Sequence, residues 1–265
     1  MNENFVVTKN DKKNILINSN GINIVLTLTK SISQDLSLKS LLKSKLSGGG
    51  VYLENLKIQL ILAENIHIDL IDDLLDFDIT RSKLEVVLNK NSTLSYQLKI
   101  SDQPNFDQVD DGLLMAYNEK GYVEKEISFK FVGQNSEAKV RCSCKGSHNR
   151  LYKFTTIQDH QAAHTKSDLV VKGAFCQSSK FICDSLIKVS KGAQKVEANQ
   201  LNKNLLLGCH SRAISIPKLE IQADDVKCKH GSAVSKLDEE QLFYLQSRGI
   251  DHCKAKNILI DAFLS

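Results

Sequence analysis

Apolar residues recur at every second position over long stretches of this chain. Ile15 and Ile17, then Ile22, Ile24, Leu26 and Leu28, alternate with polar residues across an Asn-Gly pair at 20–21. That is the pattern of two half-buried strands joined by a turn. Leu36 to Leu46 has a helical spacing instead and stops at Gly48-Gly49-Gly50. The strand period resumes at Leu56, Ile58, Leu60 and Leu62, then Ile66, Ile68 and Leu70, and continues over 84–88 and 94–100. A break over 101–121 contains Asp102, Pro104 and Asp110-Asp111-Gly112, with Leu113-Leu114-Met115 as an apolar plug. Further strands are predicted near 127–132, 137–144 and 150–157.

Residues 169–234 carry short β-prone runs near 169–175, 180–189, 195–207, 214–221 and 226–234. Gly173, Ser178-Ser179, Gly192, Gly208 and Asp224-Asp225 separate them. No strict residue-level repeat is present, and the spacing fits both the stacked rungs of a β-solenoid and a β-sandwich. Asn199, Asn202 and Asn204 within the runs suit either an internal asparagine ladder or an exposed face. The last thirty residues change character. Asp238-Glu239-Glu240 opens a helix with acidic residues where the helix dipole favours them, Gly249 ends it, and Asp251 caps a second helix. Leu242, Phe243, Leu245, Ile258, Leu259 and Phe263 give this hairpin more apolar surface than two short helices hide. It must pack on the β-body, on a partner, or on both.

Composition narrows the function classes. Hydrophobic residues make up 42% of the 265, enough for a core, so wholesale disorder is excluded. With 35 Lys+Arg against 31 Asp+Glu the net charge is +4, which gives no concentrated basic face for a nucleic acid. The basic stretch Lys139, Arg141, Lys145, Arg150 and Lys153 and the acidic stretch 64–78 read as solvated faces. Seven cysteines, a start (Met1-Asn-Glu-Asn-Phe) unlike a secretory leader and no long apolar run predict a soluble cytoplasmic chain with free thiols and no membrane span.

Cys228-Lys-His230 is the most informative local group. On a strand the thiol and imidazole share a face while Lys227 and Lys229 point the other way. Sulfur and imidazole nitrogen are donors for iron and zinc, but two donors do not complete a four-coordinate site. The rest must come from elsewhere, possibly another chain. Cys142-Ser-Cys144 with His148 is spaced too tightly for a structural zinc site and fits two cysteines on a core face. His160 with His164, Cys209-His210 and His252-Cys253 are weaker pairs. No phosphate-binding G-x-x-x-x-G-K-[ST] loop, dinucleotide G-x-G-x-x-G or G-x-S-x-G elbow occurs, so no active site is legible in the chain.

The ordered series Gly192-Ala-Gln-Lys195, Gln200, Asn204-Leu-Leu-Leu207, Pro217-Lys-Leu-Glu-Ile221, Ala223-Asp-Asp-Val-Lys-Cys-Lys-His-Gly231 and Leu237 through Ile250 resembles the SufB/SufD family of iron–sulfur cluster assembly proteins. Asn202 and Gly231, where SufB sequences place a cysteine and a glutamate, point to the SufD branch. The resemblance implies a mainly β fold: a right-handed parallel β-helix core over 51–235, a short strand/helix segment over 1–50, and a C-terminal helical region over 236–265. It implies a non-enzymatic scaffold of the SUF system, pairing with a SufB-like paralogue through the β-helix and docking the SufC ATPase through the helices. It also implies that His230, beside Cys228, faces the SufB interface where a transient iron–sulfur cluster forms, with no cluster held stably by this chain alone. Two other functions compete: a SufB-like homodimeric scaffold with SufC, and a polysaccharide-active β-helix enzyme. The 6% aromatic content and the absence of tryptophan disfavour the latter.

Overall fold

A computed structural model describes residues 13–18, 21–28, 36–37, 56–72, 81–101 and 121–265. The chain begins with β1 (Lys13–Asn18), β2 (Gly21–Leu28), β3 (Leu36–Ser37), β4 (Leu56–Leu62) and β5 (His67–Asp72). It continues through β6 (Arg81–Leu88), β7 (Thr93–Ser101), β8 (Tyr122–Phe131), β9 (Glu137–Gly146) and β10 (Leu151–His160). The last strands are β11 (Lys166–Phe175), β12 (Lys180–Val189), β13 (Val196–Leu206), β14 (Arg212–Ile221) and β15 (Val226–Lys236). Helices α1 (Glu239–Ser247) and α2 (His252–Leu264) close the chain.

From β2 onward, successive strands go to opposite sheets. One sheet runs β1-β2-β4-β6-β8-β10-β12-β14 and the other β15-β13-β11-β9-β7-β5-β3. Among the described strands the pairings are parallel except that of β1 with β2, which is antiparallel with Asn18 opposite Gly21. Each corner therefore sends the chain to the facing sheet, and the next returns it one strand further on. This is a parallel β-solenoid; a sandwich would pair its strands antiparallel. β2 and β3, from the first fifty residues, pair with β4 and β5 in the same two sheets. The helical spacing from Leu36 is overruled at 36–37, where Leu36 and Ser37 pair with Leu70 and Ile71. The rest of that stretch, the glycine stop at 48–50 and the plug at 113–115 lie outside the described residues.

The period-two pattern fills the space between the sheets. Along β10, burial alternates so that Tyr152, Phe154, Thr156, Gln158 and His160 are inward and buried. Rings from consecutive coils then meet in the interior, with Phe154 edge-on to Phe181 at 5.1 Å and Phe175 stacked on Phe181 at 4.8 Å. The outer faces are charged. The basic stretch noted above is largely neutralised there, Arg141 by Asp168, Lys145 by Asp261 and Lys153 by Glu124.

The corners hold a repeat that the strand pattern conceals. Asn65, Asn91, Asn135, His164 and Lys195 occupy corresponding corners with φ of 56–60°, a left-handed conformation that Asn tolerates best after Gly. Asn91 Nδ2 donates to Asn65 Oδ1 at 2.9 Å and Asn135 Nδ2 to Asn91 Oδ1 at 3.2 Å, so the corners are stitched coil to coil. At three of these corners the next residue closes the turn: the hydroxyls of Ser92, Ser136 and Thr165 donate to the carbonyls of Asn89, Gly133 and Ala162. Gly133 is needed because a Cβ there would lie 1.9 Å from the Lys90 nitrogen.

The tail folds as its caps dictate. The Asp238 carboxylate accepts from the Glu240 and Gln241 amides, Asp251 accepts from the Lys254 amide, and Gly249 has φ +83°. α2 buries Ile260 against Ala174 and Leu205 on the outer face of the second sheet. α1 leaves Phe243 and Tyr244 exposed. No helix among the described residues is long and apolar enough to cross a membrane.

Candidate functional site

Cys228 and His230 lie on β15, the last strand of its sheet. β15 pairs with β13 so that Ala198 lies beside Cys228, Gln200 beside His230 and Asn202 beside Ser232. Those three β13 residues are inward and buried, so Cys228 and His230 continue the inward rows at the mouth of the solenoid. Two residues along a strand are about 6.6 Å apart at the Cα atoms, and both side chains project from the same face. Cys228 is half-buried against the apolar cluster that includes Ile187, Val196 and Ala198, while His230 is exposed. Burial pushes the Cys228 thiol up, opposed by a backbone hydrogen bond with Ala198 that pulls it down.

The mouth is flanked by two sheet ends. β14 pairs only with β12, and β15 only with β13, among the described strands. Both expose apolar side chains: Ile214, Ile216, Leu219 and Ile221 on β14 and Val234 on β15. Pro217 lies on β14, an edge position where its missing N–H is tolerated. Long edges carrying apolar residues template pairing with another chain unless something blunts them. Lys227 and Lys229 charge the outer face of β15, and Lys236 ends the strand.

The floor of the mouth is polar. Asn204 Nδ2 donates to Asn202 Oδ1 at 3.1 Å, and Asn202 Nδ2 to Ser215 Oγ at 2.8 Å, linking the two sheets across the interior. Asn202 and Asn204 are therefore internal, whereas Asn199 is on the outer face, donating to Asp168 at 2.8 Å. Beside them Gln200 is 3% exposed and its Oε1 has no hydrogen-bond partner. Deeper in the lumen, Lys125 faces Asp72 at 3.5 Å, and Tyr96 donates to Asp72 at 2.7 Å.

The other sequence candidates are not brought together. Among the described residues no three His, Cys, Asp or Glu side chains converge as a metal cage. Cys142 and Cys144 are buried on the inner face of β9, and burial pushes the Cys142 thiol well up. Cys183 is pushed up to about 11 by burial. Such thiols are inert. Cys209 and His210 sit in a turn rather than on a strand, and Cys209 is exposed. Lys125 carries no motif, and Gln200 enters the sequence reading only through the family resemblance, with no role attached. Their signal was phase: each polar residue stands at an inward position of an alternating run.

His160 belongs to the core. Its ring stacks on Phe131 at 4.2 Å and meets Thr165 Oγ1 at 2.7 Å and Ser167 Oγ at 2.9 Å. Burial lowers it to about 3, so the folded protein protonates there while the unfolded chain protonates at the ordinary value of 6.5. Between these values the unfolded state binds the extra proton, and stability falls as pH drops below 6.5. From pH 6.5 to 5 the expected loss is about 2 kcal/mol, readable in urea unfolding. His160→Gln should flatten that slope; an unchanged slope contradicts the assignment.

Residues 114–263, more than half of the chain, match the family model described as SUF system FeS cluster assembly, SufBD core domain. Individual proteins agree. The chain is 34% identical over 131 residues to iron–sulfur cluster assembly protein SufD of Escherichia coli, a match covering 49% of this chain and 31% of that protein. It is 38% identical over 121 residues to a SufBD family protein of Synechocystis, covering 42% of this chain and 27% of that one. Against the chloroplastic protein ABCI7 of Arabidopsis thaliana it is 45% identical over 86 residues, 32% and 18% of the respective lengths. The matched part thus spans less than a third of each of these relatives.

Proposed function

Because this chain belongs to the SufBD core family of the SUF iron–sulfur cluster assembly system, on its SufD branch, we propose that it is a non-catalytic scaffold subunit working with a SufB-like paralogue and the SufC ATPase. One observation carries the proposal: among the described residues, Cys228 and His230 stand at a solenoid mouth that no further strand covers, between two sheet edges with one neighbour each. A second solenoid adding its own edge strands would continue both sheets by main-chain hydrogen bonding. It would cover Ile214, Ile216 and Val234 and bring further donors to the half-site. Iron and sulfide are the cargo, held at this junction during assembly and not resident in the chain alone.

The division of labour follows from the donors. A neutral imidazole and a thiolate both ligate iron. In the free subunit burial favours the protonated Cys228 thiol, so metal binding there must displace its proton. His230, exposed at the mouth, is the better placed first donor. No phosphate-binding loop is legible in the chain, so ATP hydrolysis falls to the ATPase subunit. The exposed Phe243 and Tyr244 of α1 are the anchors offered to it. All of this takes place in the cytoplasm, with no role for nucleic acid or membrane.

Co-expression with the paralogue and the ATPase tests the assembly. The double variant Phe243→Ser/Tyr244→Ser should weaken ATPase binding roughly tenfold or more while the paralogue still co-purifies. Undiminished ATPase binding would refute the docking role of α1. A chain that self-pairs and recruits the ATPase without the paralogue would mark the homodimeric scaffold instead.

A further inference from the structure

We infer that Gln200 is the positioning residue for His230: its side-chain carbonyl accepts one imidazole N–H and leaves the other ring nitrogen free to bind metal at the solenoid mouth. The inference rests on reading His230 as a cluster donor, and it adds the residue that orients that donor.

The argument starts from an orphaned atom. Gln200 is 3% exposed, yet its Oε1 has no hydrogen-bond partner. A buried carbonyl without a donor is costly, and its neighbours in the sheet cannot supply one. Leu169, its register partner on β11, is apolar. On its own strand the inward neighbour Ala198 has no polar side chain. Asn202, the inward neighbour on the other side, spends its amide nitrogen on Ser215 and its oxygen on Asn204. The remaining register partner is His230 on β15. Adjacent strands lie about 4.8 Å apart, with paired side chains on one face, so a four-atom carboxamide arm and an imidazole are within reach of each other.

The chemistry suits the site. Metal-binding histidines donate their second ring N–H to a carbonyl or carboxylate, which fixes the tautomer and the ring plane. The same-face neighbours of the imidazole on its own strand, Cys228 and Ser232, are each about 6.6 Å away at the Cα atoms, farther than the roughly 4.8 Å to the strand that carries Gln200. Gln200 supplies the restraint from the coil beneath, before any partner arrives.

The test is two-bond 1H–15N NMR of the full chain labelled with 15N-histidine, at a pH where the imidazole is neutral. The His230 signals are identified by their loss in His230→Ala. Wild type should show one dominant tautomer. Gln200→Leu should shift the tautomer ratio by about fivefold, the effect of one neutral hydrogen bond. Gln200→Glu, which keeps an acceptor oxygen, should restore it. Gln200→Asn is one methylene shorter and should behave like the Leu variant, so the test survives if Leu is poorly folded. Thermal unfolding serves as the control. A purely structural Gln200 would move the midpoint and leave the tautomer ratio alone, and that result overturns the inference. A shifted ratio together with normal cluster loading by a His230→Ala complex would keep Gln200 as the tautomer anchor and overturn the reading of His230 as a cluster donor instead.

Discussion

Asp72→Ala should lower stability by about 3–5 kcal/mol, a larger loss than any surface substitution can produce. Lys125 is 1% exposed and Asp72 3% exposed, and the ammonium sits 3.5 Å from both carboxylate oxygens. The Tyr96 hydroxyl donates to the same carboxylate, and burial pushes that phenol well above its ordinary range, so it stays a donor. Removing the carboxylate therefore leaves an uncompensated ammonium inside the solenoid and a phenol that has lost this acceptor. Breaking a buried pair from one side is what makes the change costly; replacing both charges is not. Asp72→Leu/Lys125→Met should recover most of the loss, because apolar side chains of similar size satisfy the same space. Denaturant unfolding of the two variants beside wild type measures this. A loss below about 1 kcal/mol for Asp72→Ala, the range of an exposed pair, would mean that the ammonium reaches water.

That ion pair also shows where the sequence was hard to read. Val123, Lys125, Ile127, Phe129 and Phe131 are in one phase, and all five are buried. The charged run Glu124-Lys125-Glu126 hides that phase, so the pattern predicts a strand only from about 127. Where inward positions were apolar, the boundaries were legible: β12 spans Lys180–Val189, as its alternation predicts. The choice between solenoid and sandwich was not legible, because alternation says which face is buried and not which strand lies alongside. Pairings such as Leu151 with Lys180, and Lys180 with Arg212, recur at roughly thirty residues, the scale of a repeat unit. The corner pairs Asn135-Ser136 and His164-Thr165 keep that period, but Asn91-Ser92 lies much further upstream of Asn135-Ser136, and the pairs vary in residue type.

The candidate site was half legible. Cys228 and His230 stand out as donors of matching phase, and the cap residues Asp238 and Asp251 mark both helices. Their position at the uncovered end could not be read, because nothing in the residues says that β15 lacks a further neighbour. The carboxamide floor was ambiguous for the same reason. Asn199 and Asn202 look alike in sequence, and only the phase of β13 sends one to solvent and the other inside.

His230→Ala should cut cluster formation by at least about tenfold, since loss of even an outer partner of a metal ligand costs that much. The substitution removes an exposed side chain with no core packing, so folding and subunit pairing should persist. Cys228→Ser should have the smaller effect, because the half-buried thiol must first lose its proton. The two edges and α1 remain intact in both variants, which separates the donor from the interface. The decisive measurement is the iron and sulfide content, with the accompanying visible absorbance, of anaerobically loaded complexes of this chain with its SufB-like paralogue and SufC. Wild-type complex should carry a cluster, and His230→Ala complex, assembled to the same stoichiometry, less than about a tenth as much. Equal loading of the two would contradict a cluster site completed across the solenoid mouth.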